Sequence, residues 1–166
     1  WAVGTRTAAC GGVTTVIDFA TQFPGQDVRQ AVANRLAEAQ DLAKIDYGFH
    51  VMLTELPESD DQLDDWMADL VELGTPSAKV YTTYRPNYYQ DDDSLLRVLR
   101  AAGRRGVVVM VHAENGYMIE ALTNQFLAEG KTAPEYHWLA HPAIAEEEAV
   151  ERIIRLNCLR TVDGMA

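Results

Sequence analysis

The chain has 166 residues, of which 25 are acidic and 14 basic, so its formal net charge is −11. Nucleic acids and anionic membrane surfaces attract basic faces, and this charge therefore argues against either as the main partner. Hydrophobic residues make up 48% of the chain and charged residues 23%, which is an ordinary globular composition. The length predicts one domain with a core of its own.

Processing signals and cysteines give further expectations. Neither a signal peptide nor an apolar run long enough for a membrane span is visible in the sequence. Cys10 and Cys158 do not form a Cys-x-x-Cys pair, and we expect both to be small buried residues in a reducing compartment, the cytoplasm. The chain opens on Trp1 inside what reads as a helix, so we expect it to be part of a longer protein.

The first half of the chain alternates between helix-like and strand-like stretches. A short helix is predicted at about 2–9, before the glycine pair that begins at Gly11. The apolar and β-branched run Val13–Phe19 predicts the first strand. A helix begins at Asp27, where apolar residues recur at three- and four-residue steps, and Tyr47–Leu53 is the second predicted strand.

The second half repeats this alternation. A helix is predicted from an N-cap at Ser59 to a C-terminal cap at Gly74. The next helix begins at Asp91 and is predicted to end at Gly103. The remaining elements are the strands Ala78–Thr83 and Val107–His112 and the helices Tyr117–Ala128 and Ile144–Leu159, the last two joined by a turn.

Strands that recur roughly every 30 residues with helices between them are typical of βα units on a parallel sheet. The strand-like runs are continuous rather than alternating, so we expect both faces of the sheet to be covered. Four such units form either a small open α/β sheet or the middle of a (β/α)₈ barrel. The spacing alone does not distinguish these two architectures.

Active sites of parallel α/β proteins lie at the carboxyl ends of the strands, which draws attention to His112, Lys79 and Tyr84. His112 closes a strand, where its imidazole can ligate a metal, oriented by Glu114 or Asn115, or can cap a backbone carbonyl. Lys79 lies within a strand and is either a surface or ion-paired lysine, or a neutral amine that takes up carbon dioxide as a metal-bridging carbamate. Tyr84 is either an ordinary loop tyrosine or a donor to a developing oxyanion.

Other polar residues are interpreted as structural or remain weaker candidates. We expect the acidic runs at the helix starts to be solvated faces, favoured by the helix dipole. No dinucleotide fingerprint, P-loop or nucleophile elbow is present, so nucleotide binding and serine-hydrolase chemistry have no positive support. The weaker candidates are Asp18 and Met52–Glu55 at strand ends. The residues interpreted first as structural are His50, His137 and His141, and the acidic runs are Asp91–Asp93 and Glu146–Glu148.

Five stretches, taken in chain order, match one family of proteins. They are Ala8–Phe19 with its Gly-Gly-Val-Thr-Thr, Ile45–Met52, Ser77–Tyr84, Val109–Gly116 with its His-Ala-Glu-Asn-Gly, and Tyr136–Leu139 followed by Pro142 and Glu146–Ala149. Together they resemble the dihydropyrimidinase and hydantoinase group of cyclic amidohydrolases. The match spans essentially the whole chain, and Val109–Gly116 is its most specific part.

The resemblance implies the α/β fold of a metal-dependent (β/α)₈ barrel, of which residues 1–166 are the central part within a single domain. It implies that Lys79 is carbamylated and bridges two divalent metal ions, usually zinc, and that His112 binds one of them. It implies that Tyr84 binds substrate and stabilises the oxyanion while a metal-activated hydroxide opens a hydantoin or dihydropyrimidine ring. The expected substrate is a small cyclic amide or imide, and the expected assembly is a homotetramer.

The chain also departs from the family pattern. The family's His-x-His pair, its sixth-strand histidine and its eighth-strand aspartate would lie outside these residues, so we expect the isolated chain to be inactive. Thr82 and Thr83 stand where many relatives have Met-Ala, His141 stands where many have arginine, and Arg85–Asn87 replaces a loop that commonly contains lysine. Because that loop borders the substrate in the family, these differences do not allow the preferred substrate ring to be predicted.

Two alternatives remain beside the hydantoinase interpretation. The collapsin response mediator proteins are non-catalytic assembly proteins that share this barrel and keep a stretch like His112–Gly116. They lack the lysine and the tyrosine, so the presence of Lys79 and Tyr84 favours an enzyme. Within the enzyme class, an allantoinase or dihydroorotase is the remaining alternative.

Overall fold

The computed structural model describes residues 1–159, and residues 160–166 lie outside the described part. Helices and strands alternate as the sequence predicts. In chain order they are α1 (Ala2–Cys10), β1 (Thr15–Gln22), α2 (Val28–Ala39), β2 (Asp46–Leu53), α3 (Asp60–Glu72), β3 (Ser77–Tyr81), α4 (Asp92–Arg105), β4 (Val108–His112), α5 (Gly116–Ala128), α6 (Pro134–Leu139) and α7 (Ala143–Leu159).

The strands form one sheet in the order β1-β2-β3-β4. β1 pairs with β2 in parallel along its whole length, from Thr15 opposite Asp46 to Gln22 opposite Leu53. β2 pairs with β3 in parallel, and Met52 is the partner of Lys79. Sequential strands that neighbour each other in parallel are the expected result of repeated βα units.

Local sequence explains most of the helix boundaries. The Asp27 carboxylate accepts a hydrogen bond from the Gln30 N–H at 2.7 Å, and the Ser59 hydroxyl caps α3 in the same way. Gly74 follows α3 with a φ of 71°, a left-handed conformation that glycine adopts without a Cβ clash. The predicted start signals of both helices are therefore confirmed.

Several predicted boundaries are wrong, among them that of β3, which spans Ser77–Tyr81 rather than Ala78–Thr83. α4 continues through Gly103 to Arg105, because the left-handed residue that terminates it is Gly106, with a φ of 71°. The segment predicted as a turn contains α6, which has Pro134 in its first turn, where the missing N–H of proline costs no hydrogen bond. β1 extends beyond Phe19 to Gln22.

The chain divides into two compact units, which are described separately. The first unit comprises Trp1–Lys79 and Ala101–Met110. In it α2 packs against β1, β2 and α3. Its buried residues include Val28, Ala31 and Val32 of α2, Val51 and Leu53 of β2, and Leu63, Met67 and Leu70 of α3.

The second unit comprises Val80–Arg100 and the chain from Val111 onward. In it α5 packs against α6 and α7. The backbone N–H of Asn115 donates to the carbonyl of Ala145 at 2.9 Å, which joins the start of α5 to α7. Its buried apolar residues include Val80, Leu95, Val98, Ile119, Ala145 and Ala149. The prediction that residues 1–166 form a single domain stays a prediction.

Burial along the strands corrects the expectation that both sheet faces are covered. In the first unit Ala20 and Val51 are fully buried, whereas Ile17 is 57% exposed and Phe19 38% exposed. Alternation of this kind means that one face of β1 packs on α2 while the other is accessible within the described chain. Continuous apolar runs misled the prediction because apolar residues also occupy the accessible face.

The cysteines were also predicted wrongly. Cys10 and Cys158, both within the described residues, are exposed and form no disulfide. Each lies in the last turn of a helix, α1 or α7, where the side chain meets solvent rather than a core. Among the helices of residues 1–159, none combines the length and apolar character that a membrane span requires.

Candidate active site in the second unit

Thr82 joins the segments that follow β3 and β4. Its side chain is fully buried. Its backbone N–H donates to the His112 carbonyl at 3.1 Å. Its hydroxyl donates to the Glu114 carbonyl at 2.7 Å, lies 3.0 Å from the His112 carbonyl, and accepts from the Glu114 N–H at 2.9 Å. A single threonine therefore holds the backbone on both sides of the turn that carries His112 and Glu114.

The start of α5 lies close to the same segment. The Gly116 N–H points at the Thr82 carbonyl at 3.4 Å. A Cβ atom at position 116 would lie 3.1 Å from the Cα of Thr83 and 3.2 Å from the Thr82 carbonyl oxygen. Both of those atoms are backbone atoms, which cannot rotate away. Glycine at this position therefore permits the close approach.

Asn115 has a structural role in this arrangement. Its side-chain oxygen accepts from the N–H groups of Tyr117 and Met118, each at 3.1 Å, as an N-cap does. Its side-chain amide donates to Glu148 at 2.7 Å, which ties α5 to α7. Of the two residues predicted as possible orienting groups for His112, Asn115 thus serves as a cap.

The other predicted orienting residue contacts the imidazole directly. The Nε2 atom of His112 lies 2.7 Å from Oε2 of Glu114, and the two side chains are 33% and 19% exposed. Pairing with a carboxylate in this way is characteristic of histidines that ligate metals.

Two tyrosine rings surround the imidazole. Tyr81 stacks on His112 with ring centroids 5.4 Å apart and an interplanar angle of 21°. The Tyr84 ring lies 5.1 Å from the imidazole centroid, tilted by 60°. Burial raises the pKa of Tyr81, and neighbouring Tyr84 and Tyr88 raise it further, so its phenol stays protonated. Sequence reasoning missed Tyr81, whose only signal is its place at the last position of β3.

Tyr84 adopts a backbone conformation that is unusual for its residue type. Its φ is 62°, in the left-handed region, which costs a non-glycine residue on the order of 1–3 kcal/mol. Its carbonyl accepts from the N–H groups of Asn87 and Tyr88 at 3.1 Å each. The side chain is 47% exposed. The backbone thus holds this phenol beside the imidazole while leaving it accessible.

Arg85 anchors the loop that follows Tyr84. Its guanidinium lies 4.1 Å from the ring centroid of Tyr117 and 5.5 Å from that of Tyr89. It also pairs with Glu120 at 3.6 Å. Tyr117 and Glu120 both belong to α5, so Arg85 fastens this loop to a helix.

Lys79 belongs to the first unit, where it lies next to Met52 in the pairing of β2 with β3. The strand alternates, with Ala78 fully buried and Lys79 partly buried. Burial lowers the pKa of the Lys79 amine, because a less polar environment disfavours its charged form. A larger fraction of neutral amine is what reaction with carbon dioxide requires.

The other residues considered from the sequence have local partners. Arg35 of α2 donates to the Asp18 carboxylate through Nε at 2.9 Å. Nδ1 of His50 lies 2.6 Å from the Ser77 hydroxyl. Nδ1 of His141 donates to the His137 carbonyl at 2.7 Å. Asp18, His50, His137 and His141 therefore all have hydrogen-bond partners within the described residues.

Two of the described side chains are of a chemical type that can donate to a metal ion. No group of three His, Cys, Asp or Glu side chains suited to a metal occurs within residues 1–159. One of the two side chains is the imidazole of His112, which the Glu114 carboxylate contacts. The other is the Lys79 amine, whose pKa is lowered by burial. The structure brings Tyr84 and His112 together, and it describes Lys79 in the other unit.

Comparison with known proteins yields a consistent set of relatives. The chain is 42% identical over 156 residues to a D-hydantoinase of Rhizobium radiobacter, which covers 94% of this chain and 34% of that protein. It is 42% identical over 154 residues to a D-hydantoinase of Geobacillus stearothermophilus, covering 93% of this chain and 32% of that protein. No family model matches the chain.

Solved structures agree with the sequence relatives. A D-hydantoinase structure superposes with a TM-score of 0.90 at 40% identity, covering 96% of this chain and 34% of that one. The dihydropyrimidinase of Brevibacillus agri NCHU1002 gives a TM-score of 0.89 at 38% identity, with coverage of 96% and 34%. An L-hydantoinase of Arthrobacter aurescens, at 23% identity and a TM-score of 0.78, shares the fold.

The fold and these neighbours define an α/β chain with four parallel strands, of the kind that forms part of a (β/α)₈ amidohydrolase barrel, and the predicted fold class is confirmed. Over nearly its whole length the chain is a homologue of the D-hydantoinases, so the resemblance to the hydantoinase and dihydropyrimidinase group is also confirmed. The chain spans about a third of the length of the relatives it matches.

Proposed function

We propose that this chain is the central part of a cyclic amidohydrolase that opens a hydantoin or dihydropyrimidine ring, and that residues 1–166 belong to one barrel domain of that enzyme. The observation that carries this proposal is the accessible Tyr84 phenol beside the carboxylate-oriented imidazole of His112. This pair occurs in a chain that is about 40% identical to D-hydantoinases. Both Lys79 and Tyr84 are present, which favours an enzyme over the non-catalytic alternative.

The proposed cofactor is a pair of divalent metal ions, with zinc as the first choice. His112 would bind one ion, and Lys79 would bridge both as a carbamate. The Lys79 amine nitrogen would bond the carbon of carbon dioxide and lose one proton to solvent, which leaves one negative charge shared between the two carbamate oxygens. When bound, the ions supply Lewis acidity and lower the pKa of a water molecule.

The proposed role of Tyr84 is to donate a hydrogen bond to the ring carbonyl oxygen as negative charge develops there. A preorganised donor at such an oxygen stabilises the transition state more than the ground state. The hydroxyl belongs to a side chain that is 47% exposed and whose backbone is fixed by two hydrogen bonds. We further propose a small cyclic amide or imide as substrate, a homotetramer as the assembly and the cytoplasm as the location.

The test is a ring-opening assay with the protein expressed from its complete coding sequence. The substrates are hydantoin, a 5-substituted hydantoin and dihydrouracil, with allantoin and dihydroorotate to separate the related enzyme classes. We expect hydrolysis of one of the first three, loss of turnover on removal of metal by a chelator, and recovery with zinc. Absence of ring opening for all five substrates by fully metal-loaded protein would contradict the proposal.

A further inference from the structure

We propose that Gln22 is a positioning residue for substrate binding, whose buried side-chain amide holds the loops after β1 and β2 in one fixed arrangement. These loops are residues 23–26 and 54–55, and we call the two together the rim. The inference rests on the proposed function of the chain as part of a cyclic amidohydrolase. It goes beyond that function by assigning a residue that acts on substrate affinity without touching the substrate.

Gln22 is a polar residue in an apolar layer of the first unit. It is the last residue of β1 and lies opposite Leu53 of β2. Both residues are fully buried. Burial of an amide is unfavourable unless hydrogen bonds replace those it made with water. The partners of this amide therefore show which parts of the chain it holds.

The Gln22 amide uses all four of its hydrogen-bonding positions. Its Nε2 donates to the carbonyls of Phe23 at 2.8 Å and Gln26 at 2.9 Å. Its Oε1 accepts from the backbone N–H groups of Thr54 and Glu55, each at 3.1 Å. The reversed amide would direct its NH₂ group at two N–H donors, so only one orientation fits. One buried side chain thus joins two loops that lie far apart in the sequence.

Two further hydrogen bonds connect the same loops. The Thr54 hydroxyl donates to the backbone carbonyl of Gln22 at 2.7 Å. The Oε2 atom of Glu55 accepts from the Gly25 N–H at 2.9 Å. Glu55 is exposed, so a substitution there tests one connection of the rim without disturbing the core.

The rim lies at the edge of the first unit where chemistry is expected. Both loops follow the carboxyl ends of parallel strands, which is where active sites of such sheets lie. Lys79, the proposed bridging ligand, pairs with Met52, the next-to-last residue of β2. The rim also presents the ring of Phe23, which is 56% exposed and whose carbonyl Gln22 holds. A loop that is already ordered loses less conformational entropy when a substrate binds against it.

The first experiment compares steady-state kinetics of the wild type and Gln22→Met, expressed from the complete coding sequence and loaded with zinc. Methionine is unbranched and flexible and cannot donate to the two carbonyls. For the hydantoin that the wild type opens, we expect KM to rise about 10-fold, the equivalent of ordering roughly one more residue on binding. We expect kcat and zinc content to stay unchanged, whereas a merely structural role would reduce the amount of active protein and leave KM as it is.

Gln40→Met is the matched control. Gln40 is exposed at the end of α2, so this variant should keep the wild-type KM. Wild-type KM in folded Gln22→Met would overturn the inference, and so would an equal rise of KM in Gln40→Met.

Hydrogen exchange of the Thr54 and Glu55 amides tests the connection without any assay of activity. Both amides donate to Gln22 in the described structure, and they should exchange slowly in the wild type and faster in Gln22→Met. Equal exchange rates in the two proteins would overturn the inference.

Substitutions of Glu55 provide a second test that leaves the buried amide in place. Glu55→Ala should raise KM, and Glu55→Gln, which keeps an acceptor for the Gly25 N–H, should restore it. Should Gln22→Met fail to fold, this pair decides, and wild-type KM in Glu55→Ala would overturn the inference. A wild type that opens no ring would refute the proposed function and the positioning role with it. A wild type that is active while the variants keep its KM would refute the positioning role alone.

Discussion

Gly116 lies so close to Thr83 that a Cβ atom at position 116 would be 3.1 Å from the Thr83 Cα. The carbonyl oxygen of Thr82 would be 3.2 Å from the same Cβ. This approach brings the start of α5 against the segment that follows β3, where Thr82 also holds the turn of His112 and Glu114. The requirement for glycine thus arises from packing between two backbone segments.

Gly116→Ala should therefore destabilise the protein. Because backbone atoms must shift to admit the methyl group, we expect a loss of about 1–3 kcal/mol in the free energy of unfolding. Gly4→Ala is the matched control, since nothing lies within 4 Å of a Cβ at that position of α1. The control should be neutral or stabilising by up to about 1 kcal/mol. Urea denaturation compares the two, and equal midpoints would contradict the packing argument.

Glu148 should contribute more to stability than its neighbour Glu151, although each pairs with an arginine four residues later. Glu148 accepts from Arg152 at 3.0 Å and from the Asn115 amide at 2.7 Å. Glu148→Ala leaves the N-cap residue of α5 without its partner on α7, and we expect a loss of about 1–3 kcal/mol.

Glu151→Ala is the control for that prediction. Glu151 pairs with Arg155 on the surface, where the side chains are 64% and 76% exposed. Exposed helix pairs of this kind contribute about 0.3–0.5 kcal/mol. Both variants are compared by urea denaturation at neutral pH. A larger loss for Glu151→Ala than for Glu148→Ala would refute the assigned roles.

Asp91 should make stability depend on pH in the acid range. Its carboxylate accepts from the Ser94 N–H at 2.9 Å, and this bond, followed by one with the Ser94 hydroxyl, lowers the pKa of Asp91 below its ordinary value of 3.8. The stabilisation is therefore complete above pH 3.8 and is lost as the pH falls through the lower pKa of the folded state. Asp91→Ala should cost about 1 kcal/mol at neutral pH.

Asp91→Asn isolates the effect of the charge, because asparagine keeps the cap but does not titrate. We expect the stability difference between the wild type and Asp91→Asn to be constant above pH 4 or so and to change only below that, in the direction that disfavours the wild type. Denaturant midpoints measured across this pH range provide the test. A parallel pH dependence of the two proteins would show that Asp91 is not the titrating group.

Tyr84→Phe should reduce turnover while leaving the metal in place. If the phenol donates to the developing oxyanion, its loss should lower kcat about 10²- to 10³-fold. Tyr88→Phe is the matched control, since the Tyr88 ring packs on Tyr81 at 5.6 Å and has no proposed catalytic role. Metal content is measured by elemental analysis on the same samples. Unaltered kcat in Tyr84→Phe would exclude the oxyanion role.

Sequence patterns predicted the features that depend on local chemistry. Asp27 was recognisable as a helix start and Ser59 as an N-cap, because each precedes an amphipathic run, and the structure shows both side chains capping their helices. His112 was recognisable as a strand-end histidine because five apolar residues precede it. Features that depend on a second segment were not predictable. The position of Thr82 beneath the turn of Glu114 and the stacking of Tyr81 on His112 appear only when β3 and β4 are placed side by side.

Other errors have equally specific causes. Gly103 and Gly106 are both plausible helix terminators, and only the backbone conformation shows that Gly106 adopts the left-handed one. Val108 is 63% exposed although it lies in an apolar strand. The prediction missed this because hydrophobic character does not reveal which face of a sheet is covered. The roles of Lys79, His112 and Tyr84 in catalysis stay predictions.

The most direct test of the central claim compares Lys79→Ala with Lys44→Ala in the protein expressed from its complete coding sequence. Lys44 is an exposed lysine of the first unit and serves as the control for loss of one positive charge. Zinc content and hydantoin hydrolysis are measured on the same preparations. We expect Lys79→Ala to lose bound metal and turnover together while Lys44→Ala keeps both. Wild-type metal content and turnover in Lys79→Ala would contradict the account.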